Sequence, residues 1–152
     1  MRLVFIITII NLYSYANDIS TIRELYLEAY TSEFNCNNLG ETLNTMKKNT
    51  SILIKGYEGC FYFFKCKFES SPISKLIYFK KGKKLLENAI KMNPNSVELK
   101  FLRYSIQRNL PKFLSYHNNI ELDYNFVCQN IKNMSDKQAQ RFITNCLKSI
   151  SQ

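Results

Sequence analysis

Five cysteines and one histidine are the residues of this chain best suited to nucleophilic or metal chemistry. His117 lies in a loop-like run, Ser115-Tyr116-His117-Asn118-Asn119. A thiol activated by imidazole needs the two side by side and a third group to orient the ring. Nothing in the sequence nominates those neighbours. Cys36, Cys60, Cys66, Cys128 and Cys146 contain no CxxC spacing, and with one histidine they make a poor zinc set. No metal or cofactor is therefore expected. An odd number of cysteines cannot all pair within one chain. Cys60 and Cys66, six apart on a helix, point to different sides and cannot bridge each other there. A bridge between Cys128 and Cys146, on neighbouring helices, is left open but is not indicated by spacing. The other cysteines are expected as small buried apolar residues. P-loop, GxGxxG, HExxH and GxSxG patterns are absent. The enzyme reading reduces to His117 or a free cysteine in a helix-lined pocket, and the sequence favours a protein that is not an enzyme.

Charge offers a second kind of site. Lys80, Lys81, Lys83 and Lys84 surround Gly82 and form the densest cluster. Such a patch could meet anionic lipid or nucleic acid. Single strands also want exposed aromatic rings, whereas Tyr78 and Phe79 suit a core, which argues against nucleic acid. On a helix these lysines spread over a solvated outer side, with Gly82 towards a neighbour. The net charge of +9 is uneven: residues 47–112 carry fifteen basic side chains against four acidic, and residues 17–46 one against five. Arg103 and Asp123 fall on successive helices and are expected to pair and fix the register between them. A surface pair of this kind contributes under ~1 kcal/mol.

Helices must position these groups. With 4 Gly and 3 Pro in 152 residues, turn signals are too sparse for a sandwich of short strands. A first helix, capped at Asp18 or Ser20, is expected to bury Ile19, Ile22, Leu25, Ala29 and Tyr30 and to run towards Phe34. Asn35-Cys36-Asn37-Asn38 reads as a break. A short helix then presents Leu39, Leu43 and Met46, with Lys47-Lys48 at its end. Thr50 or Ser51 starts a third helix, whose stripe is Tyr57, Cys60, Phe61, Phe64 and Phe68. Ser71-Pro72 starts a fourth, Pro72–Met92. Its apolar side is read as Ile73, Leu76, Ile77, Leu85, Leu86, Ala89 and Ile90. Pro94 stops it. Asn95, with Glu98 in capping-box position, starts a fifth that buries Val97, Phe101, Leu102, Ser105 and Ile106. Pro111 ends that helix and permits a turn through Leu114. Asn118 and Ser135 are the expected caps of the last two helices. Ile120, Tyr124, Val127 and Ile131 form the stripe of the first, and Ala139, Phe142, Ile143, Cys146 and Ile150 that of the second.

Residues 1–16 differ from the rest. Arg2, the apolar run Leu3–Ile10 and the small residues Ser14 and Ala16 form a signal-peptide pattern with cleavage between Ala16 and Asn17. The run is shorter than the ~20 apolar residues of a membrane-spanning helix. The expected mature chain, 17–152, is one exported domain, periplasmic or secreted, without a transmembrane span.

Part of the chain resembles a tetratricopeptide-type helical hairpin. Tyr57-x-x-Cys60-Phe61-x-x-Phe64 has the spacing of that family's first helix, with Phe61 where the family carries glycine. Gly82, Leu86, Ala89 and Pro94 match the small, large, small and proline positions of its second. The stretch from Phe101 to Gln107 with Pro111–Leu114 is also similar to small exported bacterial proteins of unknown function. The caps and breakers give six to seven helices in the expected mature chain, and the first resemblance implies that they pack as antiparallel hairpins in an all-α, solenoid-like domain. With the leader and the lack of catalytic motifs, it points to a binding or scaffolding module of the cell envelope. The expected partner is an envelope protein or a peptide segment lodged on a helical groove.

Overall fold

The computed structural model of the chain describes residues 19–46 and 51–150. The expected leader in residues 1–16, its expected cleavage between Ala16 and Asn17, Asp18, Lys47-Lys48 and Thr50 lie outside the described residues. Within them the fold is all-helical, without strands. Helix α1 covers 19–28, followed by α2 (Glu33–Thr45), α3 (Ile52–Phe68), α4 (Pro72–Met92) and α5 (Val97–Asn109). A 3-10 turn (Lys112–Leu114) leads to α6 (Ile120–Asn130), and another (Ile131–Asn133) to α7 (Lys137–Ile150).

Several boundaries differ from those read in the sequence, each through a local hydrogen bond. The first break falls at Thr31–Ser32, not at Asn35–Asn38. Thr31 closes α1 onto the Glu28 carbonyl, and Ser32 Oγ accepts from the Asn35 amide at 3.1 Å, which places Asn35 inside α2. The helical period restarts there, so Tyr30 and Phe34 are exposed rather than buried. Pro94 and Asn95 form a turn, and Ser96, not Asn95, caps α5 by accepting from the Leu99 amide at 3.2 Å. Glu98 therefore does not return to a cap but points into the core. Asn119 rather than Asn118 precedes α6, because 118 and 119 are taken up in a turn. Asp136, not Ser135, caps α7: its Oδ1 accepts from the Gln138 and Ala139 amides at 2.9 and 3.0 Å. A carboxylate also complements the positive end of the helix dipole.

The helices α3 and α4 form the most extensive pair. Their axes meet at two glycines. A Cβ on Gly59 would stand 2.9 Å from the Leu86 nitrogen, and one on Gly82 would stand 2.8 Å from the Gly59 carbonyl oxygen. The close approach is thus made at Gly59, two positions before Phe61, which is half-buried. Against this pair lies α5, the most buried helix. It offers Leu99, Phe101, Leu102, Tyr104 and Ile106 to the core and buries Glu98, Arg103 and Gln107 as well. Helices α1 and α7 close one side through Tyr26, whose ring meets Tyr57, Phe64 and Phe142 at centroid distances of 5.6, 5.2 and 6.0 Å. Helix α6 closes the other, burying Asp123 and Val127 and leaving Tyr124 exposed.

The first half of α4 departs most from expectation. Ile73, Leu76 and Ile77 are exposed, whereas Leu86, Ala89 and Ile90 are buried and Leu85 is half-buried. At 100° per residue, Ile73 and Ala89 lie roughly 160° apart, so the seven apolar residues never formed one stripe. What covers the core side of this half is Phe79 and Tyr116 (ring centroids 6.2 Å apart). Tyr116 is brought there by Ser115, which adopts a left-handed conformation at φ 49° and turns the chain back on itself.

Candidate functional site

Two ionic clusters grow from opposite faces of α5, each built on a buried arginine–carboxylate pair with a second, more accessible carboxylate and a tyrosine. In the first, Arg23 grips Glu98 with Nε and Nη2, both at 2.8 Å, and Nη2 also reaches Asp136 at 2.7 Å. Tyr57 donates its hydroxyl to the same Glu98. In the second, Arg103 grips Asp123 at 2.6 and 2.9 Å and Glu87 at 2.8 Å, and Tyr116 donates to Glu87. Lys100 also lies 3.7 Å from Asp123. The structure thus brings Arg103 and Asp123 together in the interior, not on the surface. Burial disfavours the Arg23 cation, but its hydrogen bonds to Glu98 and Asp136 and their negative charge outweigh that and hold the guanidinium above its ordinary value; Arg103 is raised in the same way. Burial, then the adjoining carboxylate, pushes Tyr57 and Tyr116 upward, so both remain donors. With charges opposed and most lone pairs taken, these clusters hold helices in place. Arg23 Nη1 and Gln107 Nε2 are buried without a hydrogen-bond partner among the described residues.

The candidate nucleophiles are scattered. All five cysteines are free: Cys128 faces solvent on α6 and Cys146 is half-buried on α7, and the pairing left open between them is not made. Cys36 and Cys60 are buried and Cys66 is half-buried. Burial pushes the thiols of Cys36, Cys66 and Cys146 up to about 11 and that of Cys60 higher, which leaves them protonated and unreactive at neutral pH. His117 is half-buried, and its Nε2 bonds the Leu110 carbonyl at 3.0 Å, not a thiol or a carboxylate. Among the described residues there is no cluster of three potential metal ligands, and no helix is long and apolar enough to cross a membrane.

A concave surface does exist, lined by residues that the sequence did not single out as a group. Two hollows share Tyr30, Phe63, Asn109 and Leu110 as walls and so form one cleft. The larger, about 580 Å³, lies between the ends of α3 and α5, the first turns of α4 and the 110–114 turn. Phe79, Leu76, Pro72 and Phe113 face it. The smaller, about 380 Å³, continues between α1, α5 and α7 over Tyr26, Phe64, Phe101 and Ile106. These volumes are in the range of ligand sites. The polar groups along the walls are few: the Tyr26 and Ser105 hydroxyls bonded to each other, Asn109, Ser149, and Lys67 and Lys75 at one mouth. Neither hollow has an aspartate or glutamate among its described lining residues. Lys67 donates to the Tyr30 carbonyl at 2.7 Å and lies 3.6 Å over the Tyr30 ring, which fixes its charge at the rim.

Lys80, Lys81, Lys83 and Lys84 are all exposed. Lys81 sits 4.2 Å over the Tyr62 ring and Lys83 4.8 Å over the Tyr116 ring, so these two drape over opposite flanks of α4. Comparison of the chain with models of protein families, with curated proteins and with solved structures found no match.

Proposed function

We propose that this protein is an exported, non-catalytic binding module of the cell envelope. Its cleft between α1, α3, α4, α5 and α7 holds an apolar segment of a partner protein that carries a carboxylate beside its apolar anchors. The observation that carries this reading is the composition of the cleft: aromatic and aliphatic walls, with lysines at one mouth and no carboxylate among its described lining residues. Apolar anchors gain from burial in such a wall, and an acidic neighbour meets Lys67 and Lys75 at the rim. The leader pattern in residues 1–16 supports export. An enzymatic role for His117 or a cysteine has no such support, since the imidazole is bound to a main-chain carbonyl and four thiols are held protonated.

The test is calorimetric titration with a short synthetic peptide of leucine, phenylalanine and glutamate, beside the same peptide with lysine for glutamate. The acidic peptide should bind and displace anilinonaphthalene sulfonate from the cleft. Lys75 is exposed, so Lys75→Glu should leave the fold intact and weaken the acidic peptide roughly tenfold. Equal binding of both peptides, or indifference to Lys75→Glu, would overturn the proposal.

A further inference from the structure

On the outer side of α4, Ile73, Ile77 and the lysines from Lys80 to Lys84 belong to neither the core nor the cleft. Ile73 is 74% exposed, Ile77 57% and Leu76 49%, and Phe113, which shares the wall of the larger hollow with Leu76, is 82% exposed. Isolated apolar residues at a surface need no explanation, but four gathered on one face do. One to three turns further along the same helix come Lys80, Lys81, Lys83 and Lys84. Between residues 70 and 86 there is no aspartate or glutamate. At 100° per residue, Ile73, Ile77, Lys80 and Lys84 fall within roughly 60° of one another, so apolar and basic groups share one outward ridge.

We propose that this ridge, with Phe113 beside it, docks on an anionic lipid bilayer. The isoleucines, Leu76 and Phe113 enter the boundary between headgroups and acyl chains, and the lysines meet anionic headgroups. A helical face with exposed apolar residues and Lys80 and Lys84 on the same ridge, flanked by Lys81 and Lys83 on either side, has the two attractions that interfacial binding needs. Nucleic acid would use the lysines alone. Exposed aliphatic side chains gain nothing from phosphates, and the rings of Tyr62 and Tyr78 are half-buried rather than presented for stacking. This inference stands apart from the occupant of the cleft, since lipid vesicles contain no protein partner.

The experiment is co-sedimentation of the full chain with phosphatidylcholine vesicles, with and without phosphatidylglycerol, at low and high salt. Partition should be at least tenfold stronger onto the anionic vesicles and should weaken several-fold on going from about 0.1 to 0.5 M salt. All variants keep residues 1–16, so differences between them report α4 alone. Lys80→Glu with Lys84→Glu should lower partition roughly tenfold. Ile73→Ser with Ile77→Ser should lower it by a similar factor at unchanged net charge. Those side chains are exposed, and an unchanged circular dichroism spectrum checks the fold. Equal partition of the isoleucine variant and the parent would overturn the proposal. So would single-stranded DNA binding that depends on the same lysines when vesicle binding does not. A dimer that is lost in the isoleucine variant would assign the face to a second copy instead.

Discussion

Arg103 is 7% exposed, and nearly all of its hydration has been exchanged for three hydrogen bonds to two carboxylates. A buried pair of this kind adds little over an apolar pair of the same shape, but removing one member strands a charge. Asp123→Asn keeps the volume and removes the charge, and it should cost about 3 kcal/mol in urea unfolding at pH 7. The Glu87 carboxylate is more accessible than that of Asp123 (35% against 1%), so Glu87→Gln should cost less, about 1 kcal/mol. Equal costs would mean that Asp123 is not the principal partner. Both residues stood in the sequence, but only Arg103 and Asp123 were legible as a pair, from their places on consecutive helices. The pairing of Arg23 with Glu98 spans 75 positions; no local pattern marks it, and the capping-box spacing misdirected Glu98 to a cap.

At the scale of the element, the crossing of α3 and α4 is decided by what is missing from it. A methyl on Gly59 would meet main-chain atoms of α4, which cannot rotate away. Gly59→Ala should therefore destabilise by about 1–3 kcal/mol in spite of the better helix propensity of alanine. Gly40→Ala is the control. Its methyl would meet the far edge of the half-buried Phe61 ring at 2.5 Å, which can swing aside. That variant should be neutral or gain up to about 1 kcal/mol. Comparable thermal melting of the two would show that the crossing is not limited by main-chain contact. Gly82 was legible as facing a neighbour, because it interrupts a run of lysines on a helix. The role of Gly59 was not, since a glycine in a helix looks the same whether or not another backbone lies against it.

For the molecule as a whole, Asp136 ties three elements. It caps α7, and through Arg23 it reaches α1 and the Glu98 of α5. Burial alone would raise its carboxyl, but the Ala139 amide, the Arg23 guanidinium and the Gln138 amide outweigh that and hold it below the ordinary 3.8. The folded carboxyl thus takes up a proton less readily than the unfolded one. Its contribution is fully present above the unfolded value and is lost as pH falls through the lower folded value. The urea midpoint should fall steadily below about pH 4. Asp136→Asn should be less stable at pH 7 and show a shallower acid decline; parallel curves would place the acid sensitivity elsewhere.

The sequence by itself determined the helical class, the bounds of α4, the proline stops at Pro94 and Pro111, the buried residues Ala139, Phe142 and Ile143 of α7, and Tyr57, Cys60 and Phe64 of α3 but not its Ile54 and Phe63. These follow from local rules: caps, breakers and a period of 3.6. The tertiary structure alone decided which apolar face was covered. Ile73, Leu76 and Ile77 are as apolar as Leu86 and Ile90, yet helices pack over one group and not the other. Whether a face is core, cleft or outer surface depends on the helices that arrive from elsewhere in the chain. The ridge of α4 and the cleft beside it are legible only once those helices are in place.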